Sequence, residues 1–508
     1  MLAKVKSLTV WGIDGFPIDV EVDISYGYPA ISVVGLPDQA VKESRDRIKP
    51  AIENSGFKFP SNRKLVINLA PADTKKEGPY FDLPTAIGIL IASKILPPDV
   101  ADDFYFVGEL ALDGSLRPVK GILPMAVELS KTTTKKIVVP KENGSEASLI
   151  EGIEVYPVSS LRECVSFLTK NTEIQPSTSD IKELFASNQS KGLDFKDVKG
   201  QAYTKRALEV AVTGGHNVLM VGSPGSGKTM LATRIPSILP SLTLVEALEI
   251  TKIHSIAGTL PGEGLITQRP YRSPHHTISN IALIGGGSIP KPGEVSLAHN
   301  GVLFLDELPE FHRDVLEVLR QPLEDGKVSI SRAKGRLTFP SRFLLVGSMN
   351  PCPCGWYGDN ARQCRCTLGQ MLKYRRKISG PLLDRIDIQV DVASLPPHLL
   401  MKEVEEEDSK SIRKRVETAR KAQQKRFEGT DVFFNGHMNS SQLKKHCALN
   451  DECRMLVRGA LDALYLSARA YDKIRKVART IADMENSDTI KPHHLAEAIQ
   501  YRSLDRNL

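Results

Sequence analysis

The sequence has little that would place it in or across a membrane. Its first fifteen residues lack an apolar core of signal-peptide length. The longest apolar stretch, Leu83–Ala92, is about ten residues, where a membrane-spanning helix needs roughly 20. The expectation is a cytoplasmic protein with no membrane partner. Cysteine is also sparse: seven in 508 residues, four of them crowded between Cys352 and Cys366. That spacing excludes a distributed disulfide framework and points to a metal site in a reducing compartment. Charge of one sign is not in large excess either. The formal net charge of +7 is mild for this length, so it permits nucleic-acid binding without requiring it, and the placement of the charge matters more than its sum. No internal repeat and no low-complexity tract is present.

What is there is ordinary globular composition, 41% hydrophobic and 25% charged, in a chain too long for one core. Length alone suggests about three domains. Residues 1–170 alternate between strand and helix patterns. Ile18–Ser25 has period two, Lys64–Leu69 and Lys135–Val139 are β-branched runs, and Asp38–Glu53, Leu83–Lys94 and Leu123–Ser130 have helical spacing. Residues 171–196 are polar and carry Pro, Ser, Thr and Asn, which reads as a linker. A second α/β region covers 197–395. A charged stretch at helical spacing, Met401–Glu428, then leads into an all-helical region, so 396–508 is expected as a helical C-terminal domain. The fold class is multidomain α/β.

One short apolar run, His216–Val221, leads directly into Gly222, Ser223, Pro224, Gly225, Ser226, Gly227, Lys228 and Thr229. This is the GxxxxGK[ST] pattern between a strand and a helix-forming stretch. Its glycines let backbone N–H groups curl around phosphates, and the following helix directs its positive end at them. Lys228 is expected on the β- and γ-phosphates of ATP and Thr229 on Mg²⁺. About 80 residues on, Gly301–Glu307 is a buried-strand pattern ending in two carboxylates. Asp306 is placed to hold Mg²⁺ and Glu307 to polarise the attacking water. A pair of acids at a strand end has a bland structural reading, but both motifs in this order favour a hydrolytic site. A further apolar strand, Phe343–Ser348, ends near Asn350, whose amide is suited to orient that water. Arg385, in Leu382–Asp387, and Arg469, opening a late helix, read in isolation as salt-bridged surface residues.

Two other clusters carry chemistry. Cys352, Cys354, Cys364 and Cys366 form a CxC…CxC set with nine residues between the pairs. Four thiolates in one loop suit a tetrahedral structural Zn²⁺; packed unliganded thiols are the alternative, then disulfides. Cys164, Cys447 and Cys453 have no partner pattern and read as small buried residues. The stretch Gly326–Arg342 holds Lys327, Arg332, Lys334, Arg336 and Arg342 and no acid. Two alternating arms around Ala333 to Gly335 predict a hairpin with a basic tip, suited to phosphates rather than base edges; an ordinary solvated hairpin is the plainer reading.

Taken together, the glycine loop, the Asp306–Glu307 pair, Asn350, the Leu382–Asp387 motif and Ser467–Arg469 resemble AAA+ ATPases of the helix-2-insert branch. Tyr271–Ser279, Ala282–Gly287, Pro292–His299 and Leu308–Phe311 narrow the resemblance to the magnesium chelatase-like YifB/ComM family, over nearly the whole chain. The resemblance implies an ATP- and Mg²⁺-dependent homo-hexameric motor on single-stranded or branched DNA, of the helicase kind that promotes branch migration during recombination of incoming DNA in natural transformation. It implies that Arg385 is an arginine finger entering a neighbouring subunit's site and Arg469 a sensor-2 arginine. It also puts the basic hairpin just before the sensor strand, where such motors line their pore, and a helix-2 insert at Ile278–Pro292. A chelatase-type motor remodelling a protein partner is the alternative. Val107–Gly121 and Gly78–Ala86 resemble the proteolytic domain of Lon. Tyr80 stands where Lon has its serine and no lysine follows Gly121 in the helix that begins there, so 1–170 is expected as a Lon-like domain without the dyad.

Overall fold

In the computed structural model, residues 2–504 are described apart from 73–75, 77, 188–191, 262–263, 288–289, 333–334, 360–361, 395–405, 465–466 and 503. The chain divides into two compact units, one formed by Met1–Gln189 with Ala247–Thr267 and the other by Ser190–Glu246 with Gln268–Leu508. It is a mixed α/β protein of more than one domain.

The first unit is built on a seven-stranded mixed sheet. Its strands are β1 (Leu2–Trp11), β2 (Asp14–Ser25), β3 (Ala30–Val34), β4 (Lys64–Ala70), β5 (Phe104–Phe106), β6 (Lys136–Pro140) and β7 (Glu154–Val158), in the order β3-β4-β2-β1-β5-β6-β7. β1 and β2 are antiparallel from Leu2↔Asp23 to Trp11↔Asp14, joined by a tight turn that Gly12 allows with φ of 66°. The period-two pattern of β2 is expressed as burial: Ile18, Val20 and Val22 point into the core while Asp19, Glu21 and Asp23 do not. The helices Gln39–Asn54, Asp82–Ala92 and Ile122–Leu129 fall where the helical spacing predicted them. Every residue of Asp82–Ala92 is buried, so the longest apolar run is a core helix. Segment 171–196, expected as a linker, holds the helix Ile181–Ser187, and Ser177 N–H donates to Val155 O at 2.8 Å, pinning part of it to the sheet.

Ala247–Thr267, expected within the 197–395 region, completes the first unit. The reason is polar as much as apolar. Glu146 is buried and accepts from Leu123 N–H at 2.9 Å and from the Ser255 hydroxyl. Burial pushes its carboxyl above the usual range against these hydrogen bonds.

The second unit contains five parallel strands: β8 (Val218–Val221), β9 (Tyr271–Arg272), β10 (Val302–Leu305), β11 (Leu344–Met349) and β12 (Ile388–Asp391), ordered β9-β10-β11-β8-β12. β8, β10 and β11 are buried along their whole length, as strands of a parallel sheet covered on both faces must be. Because β8 lies between two strands that come later in the chain, the sheet reverses its direction of winding there. Ligands of open α/β sheets bind at the carboxyl ends of strands flanking such a reversal. The helices Ser409–Arg426, Asp451–Leu464, Ala468–Met484 and Pro492–Gln500 form the helical C-terminal region. They do not have a core of their own: Val416, Ile474, Val477 and Ile481 share one with Val218 and Val346 of the sheet. Phe195, at the end of the expected linker, is fully buried in that same core. Among the described residues no helix is long and apolar enough to cross a membrane.

Candidate active site

The loop after β8 turns tightly because glycine occupies its left-handed positions. Gly225 has φ of 80° and Gly227 φ of 93°, and a methyl group added to either would meet nothing within 4 Å. The backbone therefore faces open space on the side where an anion would sit. Helix Lys228–Ile238 begins immediately after it, so its first N–H groups point the same way. The Ser226 hydroxyl is buried there with no hydrogen-bond partner. An unsatisfied buried hydroxyl is costly, and a phosphate oxygen would satisfy it.

Lys228 is held over this loop by neutral acceptors. Its Nζ donates to Gly222 O at 2.7 Å, Ser223 O at 2.9 Å and, at 3.4 Å, to Oδ1 of Asn350 at the end of β11. Burial lowers the pKa of this ammonium, while the carboxylates of Asp306, Glu307 and Asp391 oppose that shift. Thr229 Oγ1 donates to Asp306 Oδ2 at 2.8 Å. Asp306 Oδ1 accepts from Glu307 N–H at 3.0 Å and from the Ser348 hydroxyl. Glu307 is exposed with φ of 53°, a left-handed conformation that costs a non-glycine residue about 1–2 kcal/mol. That turn separates the Glu307 side chain from the buried direction of β10 and leaves its carboxylate facing solvent. Side-chain hydrogen bonds thus join Lys228 to Asn350, 122 positions away, and the adjacent Thr229 to Asp306, 77 positions away. A cation, a hydroxyl paired with a carboxylate, and an unpaired second carboxylate around an open glycine loop can bind a polyphosphate with a divalent cation and polarise a water.

The two arginines are engaged elsewhere. Arg385 pairs with Glu324 and lines a cavity of about 490 Å³ with Ile284, Gln321, Val328 and Ile330. Arg469 Nη1 pairs with Asp384 Oδ2 at 3.0 Å. One turn on, Lys473 Nζ meets Asp387 Oδ1 at 3.2 Å and Ile386 O at 2.8 Å, so helix Ala468–Met484 is docked along Asp384–Asp387. Against the upward push of burial, Lys473 and His216 hold the Asp387 carboxyl well below the usual carboxylate range.

The four clustered cysteines are brought together. Sγ of Cys352 lies 3.4 Å from that of Cys354 and 3.6 Å from that of Cys364, and Cys354 and Cys364 are 3.6 Å apart. All four, Cys366 included, place Sγ within 4.8 Å of one another. These separations exceed a disulfide bond of about 2.05 Å. They approach the roughly 3.8 Å edge of a tetrahedron whose corners lie about 2.3 Å from zinc. Backbone N–H groups of Arg365 and Trp356 point at Cys354 and lower its thiol pKa to about 6, whereas, against backbone N–H groups, burial and the neighbouring sulfurs push the Cys364 and Cys366 thiols up. The donor set fits a Zn²⁺ ion. Cys164, Cys447 and Cys453 are each buried.

Strands Lys327–Arg332 and Gly335–Pro340 pair antiparallel from Lys327↔Pro340 to Arg332↔Gly335. Val328, Leu337 and Phe339 are buried on one face; Lys327 and Arg336 are exposed on the other, where Arg336 donates to Ser329 Oγ at 3.1 Å. Lys334 lies outside the described residues, as does the side chain of Arg332. The Arg342 guanidinium sits 4.6 Å over the Phe433 ring, away from that polar face.

Several residues of the site were not anticipated. Ser348 is fully buried and ties Asp306 and Glu307 together; a hydroxyl in an otherwise apolar strand was the available signal. Gln201, with φ of 58°, donates to Ser226 O at 3.3 Å and Ala393 O at 2.7 Å, and no sequence pattern marks it. Tyr374 hydrogen-bonds the backbone of Asn350, and burial pushes its phenol up to about 12.

Comparison with known proteins fits this geometry. Family profiles described as magnesium chelatase, subunit ChlI, as subunit ChlI of Mg-chelatase, and as the ChlI C-terminal region match residues 194–400, 20–143 and 406–502. The chain is 45% identical over 509 aligned residues to the uncharacterized protein YifB of Escherichia coli strain K12, covering all of this chain and 98% of that protein. It belongs to the YifB/ComM family of magnesium chelatase-like proteins. Its identity to the competence protein ComM of Haemophilus influenzae is 43%, with the same coverage. Lon protease 2 of Bacillus subtilis is 26% identical over 193 residues, about a third (34%) of each chain.

Proposed function

We propose that this member of the family is an AAA+ ATPase whose subunits assemble into a ring, a homo-hexamer, that moves single-stranded or branched DNA. The observation that carries the ATPase part is the bonded cluster of Lys228, Thr229, Asp306 and Asn350 around an open glycine loop. Lys228 contacts the β- and γ-phosphates, backbone N–H groups of the glycine loop such as those of Gly225 and Gly227 face them, and Thr229 and Asp306 hold Mg²⁺. A bound Mg²⁺ ion supplies neutralisation of the developing phosphate charge. Glu307 orients a water and takes its proton as the water oxygen bonds the γ-phosphorus and the bond to the β–γ bridging oxygen breaks, giving ADP and phosphate. Asn350 positions that water, and Arg385 stabilises the transferring phosphoryl group in a neighbouring subunit's site. Arg469 senses the nucleotide through the helix docked on Asp384.

The DNA part is supported by the two-faced hairpin, whose exposed side carries Lys327 and Arg336; Arg332 and Lys334 complete its basic set. Such a surface contacts phosphates without reading sequence. Similarity to the competence protein ComM supports a role in natural transformation, and the family resemblance supports branch migration during recombination of incoming DNA. The cysteine cluster is assigned to a structural Zn²⁺, and residues 1–170 to a Lon-like domain without proteolytic function. The test is steady-state ATP hydrolysis with and without single-stranded and four-way-junction DNA, beside Glu307→Gln. Stimulation that the variant abolishes is expected. Hydrolysis indifferent to every DNA overturns the DNA motor and favours a chelatase-type motor acting on a protein partner, a reading that the magnesium chelatase matches at 194–400 and 406–502 support.

A further inference from the structure

We infer that the cysteine loop is a wall of the nucleotide site, so that metal held by the four thiolates and nucleotide held by the glycine loop stabilise each other. This rests on the reading of the four cysteines as zinc ligands. Sequence already makes the two sites neighbours: Asn350 is followed by Pro351 and then Cys352, which is fully buried. Three contacts convert that adjacency into a clamp. Gly355, with φ of 85°, closes the turn between the first two cysteines and the rest of the loop through its N–H to Cys352 O at 3.0 Å. It presses on the glycine loop so closely that an added methyl carbon would stand 2.6 Å from both Cγ and Cδ of Pro224, and 3.8 Å from Cγ of Asn350. Asp359, further along the cysteine loop, accepts from Ser394 Oγ at 3.2 Å, and Ser394 Oγ lies 2.6 Å from Ser223 Oγ of the glycine loop. On the far side, Arg375 Nη2 donates to Pro351 O at 3.3 Å, beside the Tyr374 hydroxyl that bonds the Asn350 backbone.

Ser223 and Pro224 on one side and Asn350 on the other are therefore held by one segment, whose own shape is fixed by four sulfurs within 4.8 Å of one another, those of Cys352, Cys354 and Cys364 being 3.4–3.6 Å apart. Apart from backbone N–H groups, as of Arg365 and Trp356 on Cys354 and of Cys366 on Cys364 at 3.4 Å, the sulfurs hold only one another, so metal binding adds the bonds that fix the loop and loss of metal loosens it. Freeing the loop removes the surface against which Pro224 packs and the hydrogen-bonded path to Ser223. Linkage is reciprocal: if metal raises nucleotide affinity by some factor, nucleotide raises metal affinity by the same factor.

The experiment uses the full chain without DNA, so its outcome is independent of the DNA-motor reading. Zinc per chain is measured first. Release of Zn²⁺ to excess chelator is then timed with and without a non-hydrolysable ATP analogue, and binding of the analogue is titrated in metal-loaded, stripped and reloaded protein. Trp356, inside the loop, gives a fluorescence signal for its order. We expect one zinc per chain, release slowed about tenfold by nucleotide, and affinity weakened by a similar factor on stripping and restored on reloading, within the usual range of site coupling. Asp359→Ala retains all four cysteines and is expected to keep its zinc while binding nucleotide several-fold more weakly, which guards against unfolding of the stripped protein. One zinc per chain whose release ignores nucleotide, with unaltered affinity in Asp359→Ala, overturns the coupling and leaves the zinc assignment standing. Protein purified without chelator that holds no zinc overturns both.

Discussion

Asp82 in the first unit and Lys228 in the second are both buried charged groups near the start of a helix, Asp82–Ala92 and Lys228–Ile238. Their surroundings differ in kind. Asp82 is fully buried and receives two hydrogen bonds from Arg47, at 3.0 and 3.3 Å, and one from Leu110 N–H at 3.2 Å. Its charge is answered within the protein. Among the described residues Lys228 meets only neutral oxygens, and the carboxylates nearby do not bond it. A carboxylate sealed by guanidinium has nothing to offer a ligand, whereas an ammonium resting on carbonyl groups at an open loop can trade them for phosphate at little cost. Buried charge by itself is not a mark of function; what distinguishes the two sites is whether the counter-charge is already present.

The largest effect should come from the group that the second site leaves exposed and unpaired. Glu307→Gln preserves shape and removes the base, so ATP hydrolysis should fall about 10²–10⁴-fold while analogue binding stays within about threefold. Retained hydrolysis would move the base to another residue and erase the contrast between an open site and a closed one.

The closed site makes the opposite prediction. Arg47→Ala leaves a buried carboxylate without its partner and should destabilise the first unit by about 3–5 kcal/mol. Trp11 and Trp356 are the two tryptophans of the chain, one in each unit, so Trp11 emission in a Trp356→Phe background reports on the first unit alone. Burial raises the Asp82 carboxyl to about 6 even with Arg47 beside it. Because that folded value lies above the unfolded value of 3.8, the native state binds the extra proton between these pH values. This group's contribution therefore favours the folded first unit below about pH 4 and is lost as pH rises through 6. The Arg47→Ala defect should accordingly be smaller at pH 5 than at pH 7, as read from denaturant midpoints. An equal defect at both would mean that Asp82 stays ionised throughout.

How legible each region was follows from the same contrast. The glycine loop and the Asp306–Glu307 pair depend on local backbone geometry, glycine at left-handed positions and acids at a strand end, and local geometry is written in consecutive residues. Most elements of the first unit were also visible, because the alternation in β2 and the spacing in Gln39–Asn54 are local periodicities. What escaped was contact across long separations. The assignment of Ala247–Thr267 to the first unit depends on Ser255 meeting Glu146, 109 positions away. Ser223 meeting Ser394 and Gly355 meeting Pro224 are of the same kind. Cys352 to Cys366 were recognisable as a set by spacing, and Cys352 stands two positions after Asn350, yet nothing in the sequence indicated that Gly355 packs on Pro224 of the glycine loop.

Glycine substitutions separate conformational cost from steric cost within that abutment. Gly225→Ala meets no protein atom, so in the ligand-free protein it should cost only the left-handed backbone, about 1–2 kcal/mol of stability, without touching metal content. Gly355→Ala adds a collision with Pro224 to the same backbone cost and should lower stability more. Equal shifts of the denaturant midpoint without nucleotide would show that Pro224 yields freely and that the contact transmits nothing.

The smallest expected effect divides the basic residues of the hairpin by where their charge lies. Lys327→Ala and Arg336→Ala each remove an exposed cation from the polar face, so each should lower the slope of log DNA affinity against log salt by about 0.7–0.9. Arg342 follows in the same basic run, but its guanidinium is stacked on the Phe433 ring. Arg342→Ala should weaken packing there and leave the salt slope where it was. A slope reduced equally by all three would mean that the cation over Phe433 reaches DNA as well, and that the hairpin's neutral face does not divide binding charge from structural charge.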